Sequence, residues 1–238
     1  MIRKAFSLLA LLLFAGVTQA ASAQTTPPPT TLQRQLRKFE FSFQGAGIFN
    51  SNVTGNVIPG FGAPDQGLSL TEHPSNTFGM VMSIDFPATP YFGVQFNYGF
   101  SRYDENFEGP AVANFDATQN IGATPTADYP VQADVEEYTL GYLVEIPYTI
   151  DGLQPIFSAG FGPMAFKPTP LGGEEQQEKA RMTYYYSMSF QKDLSHKFGL
   201  NFGFRQLFFL APDFGQNYFL ILKHTTTYEP TAGFYFRY

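Results

Sequence analysis

The chain has no cysteine, no tryptophan and only three histidines, and charged residues make up just 14% of its 238 positions. Each shortage removes a class of explanation. Without Cys there is no disulfide framework, thiolate metal centre or thiol nucleophile, and no acylated cysteine to anchor a lipoprotein. Ordinary globular domains carry about 25% charged residues, so this surface is not built like that of a soluble domain. The net charge is −6 with a pI near 5.0, which leaves no basic patch for nucleic acid. Apolar residues are not gathered into helical spans either: mean hydropathy is −0.13, and the N-terminal apolar run falls short of the ~20 residues that cross a bilayer.

Aromatic residues are abundant instead, with Phe 27 and Tyr 14 making 17% of the chain. Many aromatics, few charges and neutral hydropathy suit a sheet with lipid on one side and water on the other. At the start, Arg3 and Lys4 precede an apolar stretch from Ala5 to Val17, and Ala21-Ser22-Ala23 offers small residues for a signal peptidase. Residues 1–23 therefore read as a secretory signal peptide cleaved after Ala23. Residues 24–37, opening QTTPPPTT, cannot pack a core and read as a periplasmic leader. Residues 38–238 then form one domain.

In that domain apolar residues recur with period two, which sends alternate side chains to opposite faces of a sheet. The large side of each segment begins with Phe39, Phe78, Phe92, Tyr138, Phe157, Met182, Phe198 and Phe234 in turn. In the third segment, for example, Phe92, Val94, Phe96, Tyr98 and Phe100 alternate with Gly93, Gln95, Asn97, Gly99 and Ser101. Small and polar residues on the second side suit the crowded interior of a narrow barrel, with the large residues facing lipid.

The connections alternate long and short. Those at 50–76, 104–132 and between 205 and 233 are long, 167–179 is intermediate, and those at 87–91, 147–153 and 193–197 are tight. This is the pattern of a sheet with loops on one side of a membrane and turns on the other. A sheet can span lipid only by closing on itself. The expectation is an all-β, closed, antiparallel up-and-down transmembrane barrel of eight strands, with four longer extracellular loops and short periplasmic turns. A hairpin hidden in the first or third connection would make ten strands. Closure places Glu40, Asp85, Glu145 and Arg237 in a charge cluster inside the periplasmic end, with Arg205 nearer mid-height. Tyr91, Tyr148 and Tyr238 are expected at the periplasmic rim, and Tyr103, Tyr138 and Tyr184 nearer the outer one.

The terminal run Phe234-Tyr235-Phe236-Arg237-Tyr238 resembles the assembly signal of bacterial outer-membrane barrels, in which an aromatic final residue follows apolar residues at alternate positions. Tyr238 stands where Phe is commoner. From about Lys38 the whole pattern resembles the small outer-membrane barrels of the OmpA/OmpX type. The resemblance implies an outer-membrane location and contact with outer-membrane lipids and lipopolysaccharide. It also implies recognition of Phe234, Phe236 and Tyr238 by the barrel assembly machinery.

Chemistry is sparsely signalled. His73 with Ser75 and Glu72, or His224 with Glu229, would have to meet at the outer rim to form a catalytic set, and His196 sits in a turn. Asp65, Asp104, Glu105, Asp116 and Asp128 are oxygen donors of the kind that hold Ca²⁺, but they show no spaced motif and read as solvated loop acids, as do Glu174, Glu175 and Glu178. No catalytic, cofactor or metal residue is assigned, and the apolar run from Phe219 to Leu222 has no clear place. Fold does not fix function. The leading expectation is a non-enzymatic barrel with a structural, adhesion or surface-recognition role carried by its loops, for an extracellular ligand the sequence does not identify. A narrow porin-like channel comes second and an outer-leaflet lipid-modifying enzyme third.

Overall fold

The computed structural model describes residues 39–56, 69–110, 126–173, 176–215 and 221–238. The signal peptide and leader, with Asp65, Asp116, Glu174, Glu175 and Phe219, lie outside them. Among the described residues every regular element is a strand: β1 (Glu40–Asn50), β2 (Val53–Asn56), β3 (Ser69–Pro74), β4 (Thr77–Pro87), β5 (Phe92–Pro110), β6 (Thr126–Glu145), β7 (Gln154–Pro168), β8 (Lys179–Asp193), β9 (Phe198–Leu210) and β10 (His224–Arg237). Neighbours run antiparallel. The ring closes where β1 meets β10, with Glu40 opposite Arg237 and Phe43 opposite Phe234.

The ten segments form eight staves of one closed barrel. A hairpin does lie in the first long connection, but β2 continues β1 past Ser51 and Asn52, and β3 leads into β4 past Ser75 and Asn76. β3 pairs with β5 directly above the β4–β5 ladder, Pro74 opposite Glu105 and Gly79 opposite Ser101. The break is stitched by Asn50, whose N–H donates to Asn76 Oδ1 at 3.0 Å and whose Nδ2 donates to the Ser75 carbonyl at 2.9 Å.

The third connection departs further from expectation. Asp104 and Glu105 lie in β5, and the Asp128 backbone lies in β6 opposite Glu108. The two strands run 19 and 20 residues, about twice the ~9–11 that a tilted strand needs to cross a bilayer. Their outward side chains turn polar at Arg102 and Glu136 while the alternation continues unbroken. The barrel therefore rises well above the membrane.

At the opposite end the turns are tight. Asp151 (φ 52°) and Gly152 (φ 76°) both occupy the left-handed region, flanked by reciprocal Ile150–Leu153 hydrogen bonds of 2.9 Å. Asp-Gly favours this two-residue turn because its twist matches that of the strands it joins.

The outward apolar band comprises residues 39–49, 78–86, 92–100, 138–144, 157–163, 182–190, 198–208 and 228–238, the membrane-spanning portion of each stave. Tyr91, Tyr148 and Tyr238 are exposed at the turn end, and Tyr138 and Tyr184 are exposed higher up. Tyr103, expected at the outer rim, is instead buried inside the upper barrel. Odd positions on β5 point inward, and 103 obeys that parity.

Candidate functional site

The interior is built in three tiers. At the turn end, Arg237 Nε donates to Glu40 Oε2 at 2.7 Å, and its Nη2 donates to Gln191 Oε1 at 2.8 Å. Its Nη1 bonds Asp193, Gln191 also bonds Glu40, and Tyr235 OH bonds Asp193. The guanidinium lies 4.4 Å from the Tyr235 ring centroid, where the π face attracts a cation. Asp85 stands opposite Glu40, and Asp85 and Glu145 line with Glu40 a cavity of about 10 Å³. Glu40 and Arg237 thus meet directly, Asp85 and Glu145 stand beside Glu40, and Gln191 and Asp193 are partners the alternation alone did not reveal.

At mid-height Arg205 is a separate centre. Its Nη2 donates to Glu137 Oε1 at 2.6 Å and its Nη1 to Glu229 Oε2 at 2.7 Å, with all three side chains buried. A chain of hydrogen bonds leads up to it. Ser83 donates to Asn97 at 2.7 Å, Asn97 to Thr139 at 3.2 Å, and Thr139 to Glu137 at 2.7 Å. The Tyr185 ring lies 5.3 Å from Arg205. Glycines make room for the inward tyrosines: a Cβ on Gly141 would come within 2.6 Å of Tyr185 OH here, and at the turn end one on Gly199 would come within 2.2 Å of Tyr235 OH. Two acids sharing one arginine satisfy the rule that a buried charge must be paired. Glu137 and Glu229 were readable as inward from strand parity, but only the register brings them to Arg205.

Above this level the interior becomes apolar. Leu70, Phe107, Val131, Phe166, Leu207 and Phe209 form a buried cluster inside the raised cap. The segment after β9 closes it. Phe214 (φ 48°) turns inward and meets the Phe107 and Phe166 rings edge-on at 6.1 and 6.5 Å. A left-handed non-glycine residue costs on the order of 1–3 kcal/mol, and this one is held by those rings and by Asp213, which forms ion pairs with Lys179 at 3.0 Å and Arg181 at 2.9 Å. Of the apolar run at 219–222, Ile221 is buried over Gly55 and Leu222 is exposed.

Two acids share this apolar interior. Glu72 and Glu105 are fully buried, and among the described residues their carboxyl oxygens have no hydrogen-bond partner except each other. Burial pushes Glu105 up to about 8 and, with the charge of Glu105 beside it, holds Glu72 well above the usual carboxylate range. The outer face of the cap is the reverse. Arg102 donates to Asp134 at 2.5 and 2.9 Å, Lys167 to Glu136 at 2.7 Å, and His73 lies 3.2 Å from Glu108.

These positions separate the groups weighed for catalysis. His73 points outward to Glu108 while Glu72 points inward, because adjacent strand residues face opposite ways. Ser75 Oγ accepts the Asp104 N–H at 3.0 Å. His224 is exposed while Glu229 is buried on Arg205, and His196 is exposed in its turn. Glu178 is exposed as well.

Compared with solved structures, the chain matches the outer membrane protein OprG of Pseudomonas aeruginosa with a TM-score of 0.56 and 9% identity, covering 85% of this chain and 97% of that one. Neisserial surface protein A matches with a TM-score of 0.51 and 9% identity, covering 84% and 97%. This chain has the fold of a small bacterial outer-membrane barrel. No family model and no curated protein matches it by sequence. At 9% identity the agreement concerns the path of the backbone; the ion network and the cap are read from this chain's own side chains.

Proposed function

We propose that this chain is a non-conducting barrel of the bacterial outer membrane whose raised cap presents a recognition or adhesion surface outside the cell. The observation that carries this reading is the filled interior. An ion network sits at the turn end, the Arg205 centre at mid-height, and an apolar plug inside the cap. Eight strands leave an interior just wide enough for side chains to fill. The inward-facing cavities at the turn end and beside Glu137 are about 10 and 20 Å³, room for about one water each.

Function then falls to the outer face of the cap, where paired charges on β5, β6 and β7 make a hydrated surface over a rigid core. Outer-membrane lipids and lipopolysaccharide surround the band below. The chain reaches the membrane by export with cleavage after Ala23, and the assembly machinery reads Phe234, Phe236 and Tyr238. Mass spectrometry of the membrane-inserted protein should find Gln24 as its first residue; a retained N-terminus would contradict the export step. Conductance across planar bilayers tests the main reading. Purified barrel should give no discrete steps, and reproducible steps of one size would replace this reading with a channel.

A further inference from the structure

The outward wall is not evenly clad. Most outward positions in the apolar band carry Phe, Tyr, Leu or Met, but in the upper half of the β1–β10 seam they are Gly45, Gly47, Pro230 and Ala232. Pro230 has no backbone N–H to offer a ladder. The β1–β10 pairing runs without a gap from Glu40 to Ala46, skips two residues beside Pro230, and resumes at Phe49 opposite Tyr228. The outcome is a recess of about 490 Å³ open to the outside of the barrel. Gly45 and Ala232 floor it, the Phe49 ring lies over Gly47, and Phe78 stands at its edge. Phe78, at 86% exposure, is the most exposed phenylalanine among the described residues.

Three observations say what the recess holds. No charged residue lines it. A Cβ added to Gly45 would meet only the Ala232 carbonyl oxygen, at 3.9 Å, so the recess is open there, whereas at Gly47 the Phe49 ring already lies 3.0 Å from where a Cβ would sit. It also lies directly beneath the row where outward positions turn polar, Asn76 before β4 and Thr226 on β10. That places it at the depth of the outer-leaflet acyl chains.

We propose that this recess binds one acyl chain of an outer-leaflet lipid, laid over Gly45 and Ala232 and held between the Phe78 ring and the Phe49 ring that covers Gly47. The inference rests on the membrane placement and not on the closed lumen. The drive is not hydrophobic transfer, since bulk lipid is as apolar as the wall. It is van der Waals contact: a void against the wall forfeits those contacts, and a concave floor surrounds a chain more completely than a convex wall does. A second copy of the barrel fits poorly. Its wall is convex and would rest on Phe49 and Phe78 without reaching the glycines, whereas a standard interface buries about 800 Å² on each partner.

The absence of tryptophan makes the test direct. Phe78→Trp puts a single reporter at the edge of the recess, and Leu140→Trp puts a control in the band on β6. Both variants are refolded into phosphatidylcholine vesicles with brominated acyl chains and then extracted into mild detergent. The proposal expects the control to lose its quenching on extraction while the reporter stays quenched. Adding Gly45→Leu should then abolish the retained quenching. Should that variant fail to give the compact band of a folded barrel on an unheated gel, Ala232→Leu fills the same recess from the other strand. Equal loss of quenching at both reporters overturns the proposal, as does retained quenching that neither filling variant removes. A dimer by light scattering that Gly45→Leu converts to monomer assigns the recess to a second copy and also overturns it. Conductance is unaffected by any of these outcomes, so the non-conducting reading stands or falls separately.

Discussion

Within one strand, β5, the chain crosses two environments. Up to Ser101 it points Phe92, Val94, Phe96, Tyr98 and Phe100 outward and Gln95 and Asn97 inward. Beyond it, Arg102, Asp104, Asn106 and Glu108 point outward, while Tyr103 and Phe107 point in. β6 makes the same exchange between Glu136 and Tyr138. Parity never slips; only the polarity attached to it reverses. The lower region is a membrane barrel, apolar outside and polar within, and the cap is a water-facing barrel, polar outside and apolar within. Strand pairing sets the shape, and the surroundings decide which face carries the aromatics.

The acid pairs make the contrast sharper. Glu137 and Glu229 share Arg205 in the lower region, whereas Glu72 and Glu105 in the cap have no arginine between them, Arg181 being held by Asp213. The largest effect should come from removing the shared cation. Arg205→Met leaves two buried carboxylates without it, which costs on the order of 3–5 kcal/mol. The temperature at which the folded band converts to the unfolded one on a gel should fall steeply and recover in part with Glu137→Gln added. An unchanged conversion temperature would show the centre to be incidental.

Next comes the outward face. Leu140→Arg places a charge against acyl chains and should cost about 2–4 kcal/mol if it sits near the bilayer centre, less toward the interface. Arg102→Ala breaks an exposed ion pair on the cap and should cost ~0.2–1 kcal/mol. Urea titrations of folded barrel in vesicles compare the two, and similar losses would erase the boundary between regions.

The smallest effect is local to the cap and depends on pH. Glu105 rises from 4.5 to about 8 on folding, and Glu72 is raised too. The stabilisation of their neutral forms is fully present below about pH 4.5 and is lost as pH climbs toward about 8. Amide exchange in β3 and upper β5, corrected for intrinsic rates, should therefore speed up across that window, and Glu105→Gln should flatten the trend. A flat trend in the unmodified chain would mean the pair is solvated.

The lower region was legible because alternation, turn spacing and the closing match of Glu40 with Arg237 are local or terminal features. The cap was not, because the outward positions from Arg102 to Glu108 and from Gln132 to Glu136 turn hydrophilic and read as loop. Inward Tyr103, Phe107 and Val131 still kept the period. Arg205 was placed by height, yet its partners lie 68 and 24 residues away and emerge only from the register across β9, β10 and the interior. Ile221 and Phe214 come from an irregular segment whose packing no periodicity encodes.

A cysteine scan along β5 is the most direct measurement, since the chain has no native cysteine to remove. Spin labels at even positions from 92 to 100 should be relaxed by oxygen, which partitions into lipid, and those at 102 to 108 by a water-soluble nickel chelate, with the switch between 100 and 102. Oxygen relaxation continuing through 108, or nickel access at 96, would contradict the division of this barrel into a membrane band and a raised cap.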